Sequence, residues 1–127
     1  MRTIDGRFAV TRLPVEMPVP EWASLGPFSS VTRTAGELSI VCSEENVPLD
    51  VTSERGFKCL CVAGPLEFSL VGVLASMLEP LADAGIAVFV VSTFDTDYLM
   101  VKECDFEACA QALIRAGHRV RKWDEQL

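Results

Sequence analysis

Three observations predict an α+β fold. From Phe57 to Trp123 the pattern reads strand, helix, strand, strand, helix, strand, which is the split βαβ or ferredoxin-like plan. The stretch before Phe57 repeats that order with its helical material worn down. Of the 127 residues, 50% are hydrophobic and 23% charged, a globular composition with material for a core. The expectation is two βαββαβ modules packed together, the first of them degenerate. Residues 1–56 form the N-terminal module with reduced helices and residues 57–127 the C-terminal one.

In the first module, Phe8–Leu13 reads as a strand. Met17–Trp22 carries two prolines and has room only for a short helical turn, with Pro20 at its first position. Phe28–Thr34 and Glu37–Cys42 form a hairpin about Ala35 and Gly36. Ser43–Gly56 would hold a helix and a strand in a complete repeat, yet it is polar, contains Pro48 and shows weak apolar spacing. The first module is therefore expected to take a strand from elsewhere, for instance the C-terminus.

The second module is sharper. Phe57–Ala63 is rich in strand formers, and Gly64-Pro65 stops it. Ser69 suits the N-cap of a helix whose apolar face is Leu70, Val73, Leu74, Met77, Leu78 and Leu81. Pro80 removes the amide that would bond the Ser76 carbonyl, so a kink or an early end is expected there. Gly85 fits the left-handed position after the helix. Ile86–Val91 is apolar on both alternating sets, as in a strand covered on both faces. Asp95 and Thr96 make a turn, and Asp97–Lys102 runs back. Asp105 suits a second N-cap; Phe106, Cys109, Ala110, Leu113 and Ile114 follow helical spacing; Gly117 ends that helix; and His118–Trp123 reads as a last strand.

The net charge is −7, which disfavours nucleic acid and anionic membrane surfaces as partners. Met1–Arg12 lacks the apolar core of a secretory signal, and Glu79, Pro80 and Asp83 interrupt the longest apolar stretch, so neither secretion nor membrane spanning is expected. Five cysteines in such a chain read as reduced, mostly buried thiols in the cytoplasm.

Exposed amides at a helix start, with the positive end of the helix dipole, favour a carboxylate. Gly72 leaves room for close approach to the backbone. Asp97, and after it Glu67 or Asp95, can accept bonds from an ammonium, each charge-assisted bond being worth roughly 1.5–3 kcal/mol. A helix start and an acidic hairpin turn around one hollow would hold a small zwitterion.

The segment Gly72-Val-Leu-Ala-Ser-Met-Leu-Glu-Pro-Leu-Ala-Asp-Ala-Gly85, followed by Ile86-Ala-Val-Phe-Val-Val-Ser-Thr-Phe-Asp-Thr-Asp97, resembles the second module of tandem ACT-domain proteins. It is similar to those related to cytosolic arginine sensors of the CASTOR kind and to the ACT pair of aspartate kinases. The resemblance runs from about Phe57 to Val120. Upstream, Phe28-Ser-Ser-Val-Thr-Arg-Thr-Ala-Gly-Glu-Leu-Ser-Ile-Val-Cys42 resembles the small stand-alone bacterial members. The resemblance implies an amino acid bound where two modules meet, without a cofactor. One wall would be Gly64, Glu67, Phe68, Ser69, Leu70 and Gly72, and the other Thr93, Phe94, Asp95, Thr96 and Asp97. The sensors carry Thr, Phe and Asp at the positions of Thr93, Phe94 and Asp97. Thr96 departs from an aromatic residue, and the aliphatic groups near Leu70 do not suit a guanidinium. The resemblance further implies a homodimer that acts on a regulated protein.

The plainer readings make Asp95 and Asp97 turn formers, Ser69 a simple cap, Gly72 a packing residue and Phe94 part of the core. On these the chain is a dimerisation module with a vestigial pocket. Catalysis is disfavoured: His118 is the only histidine, and neither a Gly-x-Ser-x-Gly elbow nor a phosphate loop occurs. Asp95 and Asp97 in an open turn are poorly sited for acid–base work. Cys59 and Cys61 share one strand face but lack the further ligands a metal needs, and Cys104 and Cys109 do not have a zinc-knuckle spacing.

Overall fold

The computed structural model describes residues 1–62 and 72–121. The chain divides into two compact units, Gly6–Phe57 and Lys58–Leu127, the latter joined by Met1–Asp5.

In the Gly6–Phe57 unit, β1 (Arg2–Leu13), β2 (Ser30–Arg33), β3 (Leu38–Ser43) and the first part of β4 (Thr52–Cys61) take the order β2-β3-β1-β4. β1 and β3 are antiparallel, from Phe8 opposite Ser43 to Leu13 opposite Leu38. β2 pairs antiparallel with the other edge of β3. Thr34 closes the hairpin: its N–H donates to the Glu37 carbonyl (2.9 Å), and its hydroxyl accepts the amides of Gly36 and Glu37 (3.2 Å each). Alternation sends Leu38, Ile40 and Cys42 inward to meet Ala9 and Leu13.

The helices of a full module are reduced to single turns here. Pro20 precedes the 3-10 turn Glu21–Ser24, which buries Ala23. A second 3-10 turn spans Glu44–Asn46. Arg55 fixes the loop after it by donating to the carbonyls of Glu44 (3.1 Å), Val47 (3.0 Å) and Pro48 (3.2 Å), while the Glu44 carboxylate accepts the Gly56 amide (2.8 Å). Val47 and Val51 from this loop and Trp22 from the first turn complete the core. β4 starts at Thr52, five residues before the expected strand.

In the second unit the order is β1-β4-β6-β5, with β5 (Phe89–Ser92) and β6 (Asp97–Lys102) antiparallel from Phe89 opposite Met100 to Ser92 opposite Asp97. Helices α1 (Val73–Asp83) and α2 (Phe106–Arg115) pack a core of Leu60, Val62, Met77, Leu81, Leu99, Val101, Cys109 and Leu113. The first residues of β1 meet Arg121 within this unit. Arg2 and Arg121 form a parallel bridge, with Thr3 N–H on the Arg121 carbonyl (2.8 Å) and Arg121 N–H on that of Met1 (2.9 Å). The expected final strand is observed as that bridge at Arg121; Lys122 and Trp123 lie outside the described residues.

Four local expectations change. α1 begins at Val73 with Gly72 in the capping position, because Gly72 has φ +83° and breaks the helical run. The helix then passes through Pro80 to Asp83 without ending early. β5 is a short edge strand with its residues at least partly exposed, because only β6 flanks it, so it is not covered on both faces. Ile114 points outward (47% exposed), and the buried surface of α2 passes instead through Ala112. Asp105 does precede α2, but its side chain makes no capping bond. Both helices close with glycine in a left-handed turn, Ile86 N–H reaching Leu81 (2.9 Å) and His118 N–H reaching Leu113 (3.0 Å), the Schellman pattern.

Among the described residues no helix is long and apolar enough to cross a membrane. Cys42, Cys59, Cys61 and Cys109 are buried, and Cys104 is exposed. Burial pushes the Cys59 thiol up to about 12 and Cys109 up to about 11, which denies both the thiolate at neutral pH. A thiol reagent at neutral pH should therefore titrate Cys104 rapidly and the other four only after denaturation. Rapid modification of two or more thiols in the native protein would contradict this packing. The unfolded chain would ionise Cys59 and Cys109 near the ordinary 9.0 while the folded chain keeps them protonated, so stability should fall as pH rises from there toward 11–12.

Candidate functional site

The site begins where β4 ends. Val62 N–H donates to the carbonyl of Asp97 (2.9 Å), and the Val62 carbonyl accepts the hydroxyl of Thr96 (2.7 Å). Both polar groups of the last residue described after β4 are thus bound to the β5–β6 turn.

The hairpin turn is built from its own hydroxyls. Thr93 N–H and Oγ1 both donate to the Thr96 carbonyl (2.8 and 3.0 Å), and Thr93 Oγ1 accepts the Thr96 amide (3.3 Å). Thr96 is buried, and its hydroxyl hydrogen is committed to Val62. These two threonines, expected on the wall of a pocket, shape the turn and clasp it to β4. Phe94 and Asp95 occupy the tip. Phe94 is 80% exposed, which removes the reading of its ring as core.

Asp97 is half-buried, opposite Ser92 across the hairpin. The Ser92 hydroxyl donates to Asp97 Oδ1 at 2.5 Å, a short charge-assisted bond that orients the carboxylate and leaves Oδ2 to accept another donor. Ser92 was missed in the sequence. Counting back across a four-residue turn from Asp97 would have found it, since directly opposed residues are neighbours on one face.

Of the second wall expected from the sequence, the described part is Gly72 at the start of α1. Its first intrahelical bond is from Ser76 N–H to the Gly72 carbonyl (2.9 Å), so the amides of Val73, Leu74 and Ala75 have no partner within the helix, and the Gly72 cap offers them no side chain. Gly72 is exposed, and nothing lies within 4 Å of where a β-carbon would stand, so close packing does not account for it. Its left-handed backbone does. Gly64, Glu67, Phe68, Ser69 and Leu70 lie outside the described residues. Among the described residues no three His, Cys, Asp or Glu side chains gather as for a metal ion.

With this geometry in view, comparison with known proteins gives the class. The chain belongs to the ACT-domain family, whose model matches residues 52–115. Residues 6–50 match a separate model of an N-terminal domain. A crystal structure of an Agobacterium tumefaciens protein is 40% identical, covering 95% of this chain and 90% of that one with a TM-score of 0.90. A Vibrio cholerae protein is 21% identical over 91% of this chain and 88% of its own, with a TM-score of 0.74. The ligand-free regulatory subunit of Thermus thermophilus aspartate kinase shares the fold, with a TM-score of 0.62 at 10% identity over 91% of this chain and 95% of that one.

Replacing Gly72 by Ala should lower unfolding free energy by about 1–2 kcal/mol, the cost of a β-carbon in left-handed backbone. Asn, which tolerates that conformation, should recover part of it. The check is a urea midpoint shift at constant m-value. An Ala variant as stable as the parent would show that the backbone relaxes there at no cost.

Proposed function

We propose that this chain is a small-molecule-binding regulatory protein whose ligand is an amino acid or a similar zwitterion, and that it acts through binding and not through catalysis. The observation that carries this reading is the clasp of Val62 on Thr96 and Asp97, within the stretch that matches the ACT domain. It joins the exit of β4 to a turn bearing an oriented carboxylate. In this reading Asp97 accepts the ligand ammonium through Oδ2, and the amides of Val73, Leu74 and Ala75 at the start of α1 donate to the ligand carboxylate. Glu67, Ser69 and the other residues between Gly64 and Leu70 belong to the same proposal. Within the family we set the chain beside the tandem ACT sensors, whose Thr-Phe-x-x-Asp pattern it shares at Thr93, Phe94 and Asp97. The Thermus thermophilus neighbour, a regulatory subunit, supports a regulatory reading.

A second reading has its own support. Thr93 and Thr96 are spent on the turn itself, which suits a hairpin kept for structure in a dimerisation module.

A thermal-shift panel of the twenty amino acids separates the two. A true ligand at a hundred times its dissociation constant should stabilise the fold by about 2.7 kcal/mol. A panel with no shift favours the structural module. With a ligand found, Asp97→Ala should weaken binding at least about ten-fold, equal to 1.4 kcal/mol, while the far-ultraviolet spectrum is retained. Undiminished affinity in that variant would remove Asp97 from the ammonium role.

A further inference from the structure

Pro80 stands inside α1 and brings no amide, so the Ser76 carbonyl lacks the donor that an α-helix normally supplies from four residues on. The Nε2 atom of His118 lies 3.0 Å from that oxygen. A carbonyl only accepts, so Nε2 carries the hydrogen. The contact crosses 42 residues of sequence and joins α1 to the turn that closes α2.

Both ends of the contact are fixed. His118 is the residue after the left-handed Gly117. Its own N–H is held on the Leu113 carbonyl (3.0 Å) and the Gly117 N–H on Ile114 (3.0 Å), so the imidazole extends from a closed turn. Ser76 donates its amide to Gly72 (2.9 Å) and its hydroxyl to Val73 (2.6 Å), so the acceptor belongs to the first turn of α1.

We propose that His118 is a positioning residue: it supplies the hydrogen bond that Pro80 withholds and thereby ties the first turn of α1 to the end of α2. Proline makes α1 a helix whose ladder is interrupted behind its first turn. The imidazole closes that gap from outside, so opening of Val73–Glu79 is governed by a side chain from the turn that follows α2. This bears on ligand binding only if the amino-acid reading above holds, since Gly72 and the amides of Val73, Leu74 and Ala75 then stand on the segment His118 secures.

Native-state hydrogen exchange on the full chain without ligand tests the tether. In His118→Ala the amides of Ser76–Glu79 should exchange about three- to ten-fold faster, the range of one hydrogen bond of ordinary strength, with those of Cys109–Leu113 much less affected. In Pro80→Ala the new amide takes the Ser76 carbonyl, so adding His118→Ala should change exchange little. His118→Gln, which keeps a donor near the same place, should restore protection. Unaltered exchange in His118→Ala, or the same increment in the Pro80→Ala background, overturns the proposal. Should His118→Ala fail to fold, nitrogen spectra of the unsubstituted protein decide: a neutral ring with its hydrogen on Nε2 supports the tether, and one with it on Nδ1 defeats it. A parent that binds no amino acid would sink the sensor reading and leave the exchange result standing.

Discussion

The fold of the C-terminal unit near its candidate site depends on Val62. Its amide and its carbonyl are satisfied by one short piece of chain, the Asp97 carbonyl and the Thr96 hydroxyl. A buried backbone group without a partner is costly, so these two bonds leave the end of β4 little choice of neighbour. They also explain why Thr96 is buried in a turn otherwise made of exposed residues. Once Thr96 is anchored, Thr93 closes the turn around it, Phe94 and Asp95 are left outside, and Asp97 emerges opposite Ser92. The position of the Asp97 carboxylate thus follows from bonds made by its neighbours in the turn.

The N-terminal unit shows how a small sheet is covered without real helices. Two single turns and a loop supply Trp22, Ala23, Val47 and Val51 to its core. Such turns are too short to sustain themselves by backbone bonds. Arg55 compensates by holding three loop carbonyls with one guanidinium, five donors in a rigid fork suited to a curved strip of backbone. The same cation lies near Cys42, where it partly opposes the upward push of burial on that thiol. The polar character of Ser43–Gly56 is thereby explained: the segment is structured by a charged side chain and not by an apolar stripe.

Much of this was legible in the sequence because periodicity reports burial. Asp97–Lys102 was bounded correctly by its turn residues, and the faces Met77–Leu81 and Cys109–Leu113 were read from spacing alone. What was lost depended on neighbours that spacing does not encode. β5 looked doubly covered because its residues are apolar, yet its place at the end of the strand order decides its exposure. Ile114 matched the stripe of α2 and lies outside it. The left-handed backbone of Gly72 at the start of α1 has no signature in the apolar spacing around it. In the candidate site the acidic turn was visible. The commitment of Thr93 and Thr96 to the turn was not, since a hydroxyl is as fit for a ligand as for a backbone and only the geometry distinguishes them.

The bridge between Arg2 and Arg121 has a consequence for how the chain acquires its structure. The two partners are 119 positions apart, and the Thr3 hydroxyl bond to Arg121 spans 118. Met1–Asp5 join the unit that otherwise runs from Lys58 onward. Contacts of such long sequence separation slow folding, because loop closure precedes the contacts that reward it. Division of the chain at the Phe57–Lys58 boundary would leave the C-terminal fragment without the Met1–Asp5 segment that belongs to its unit.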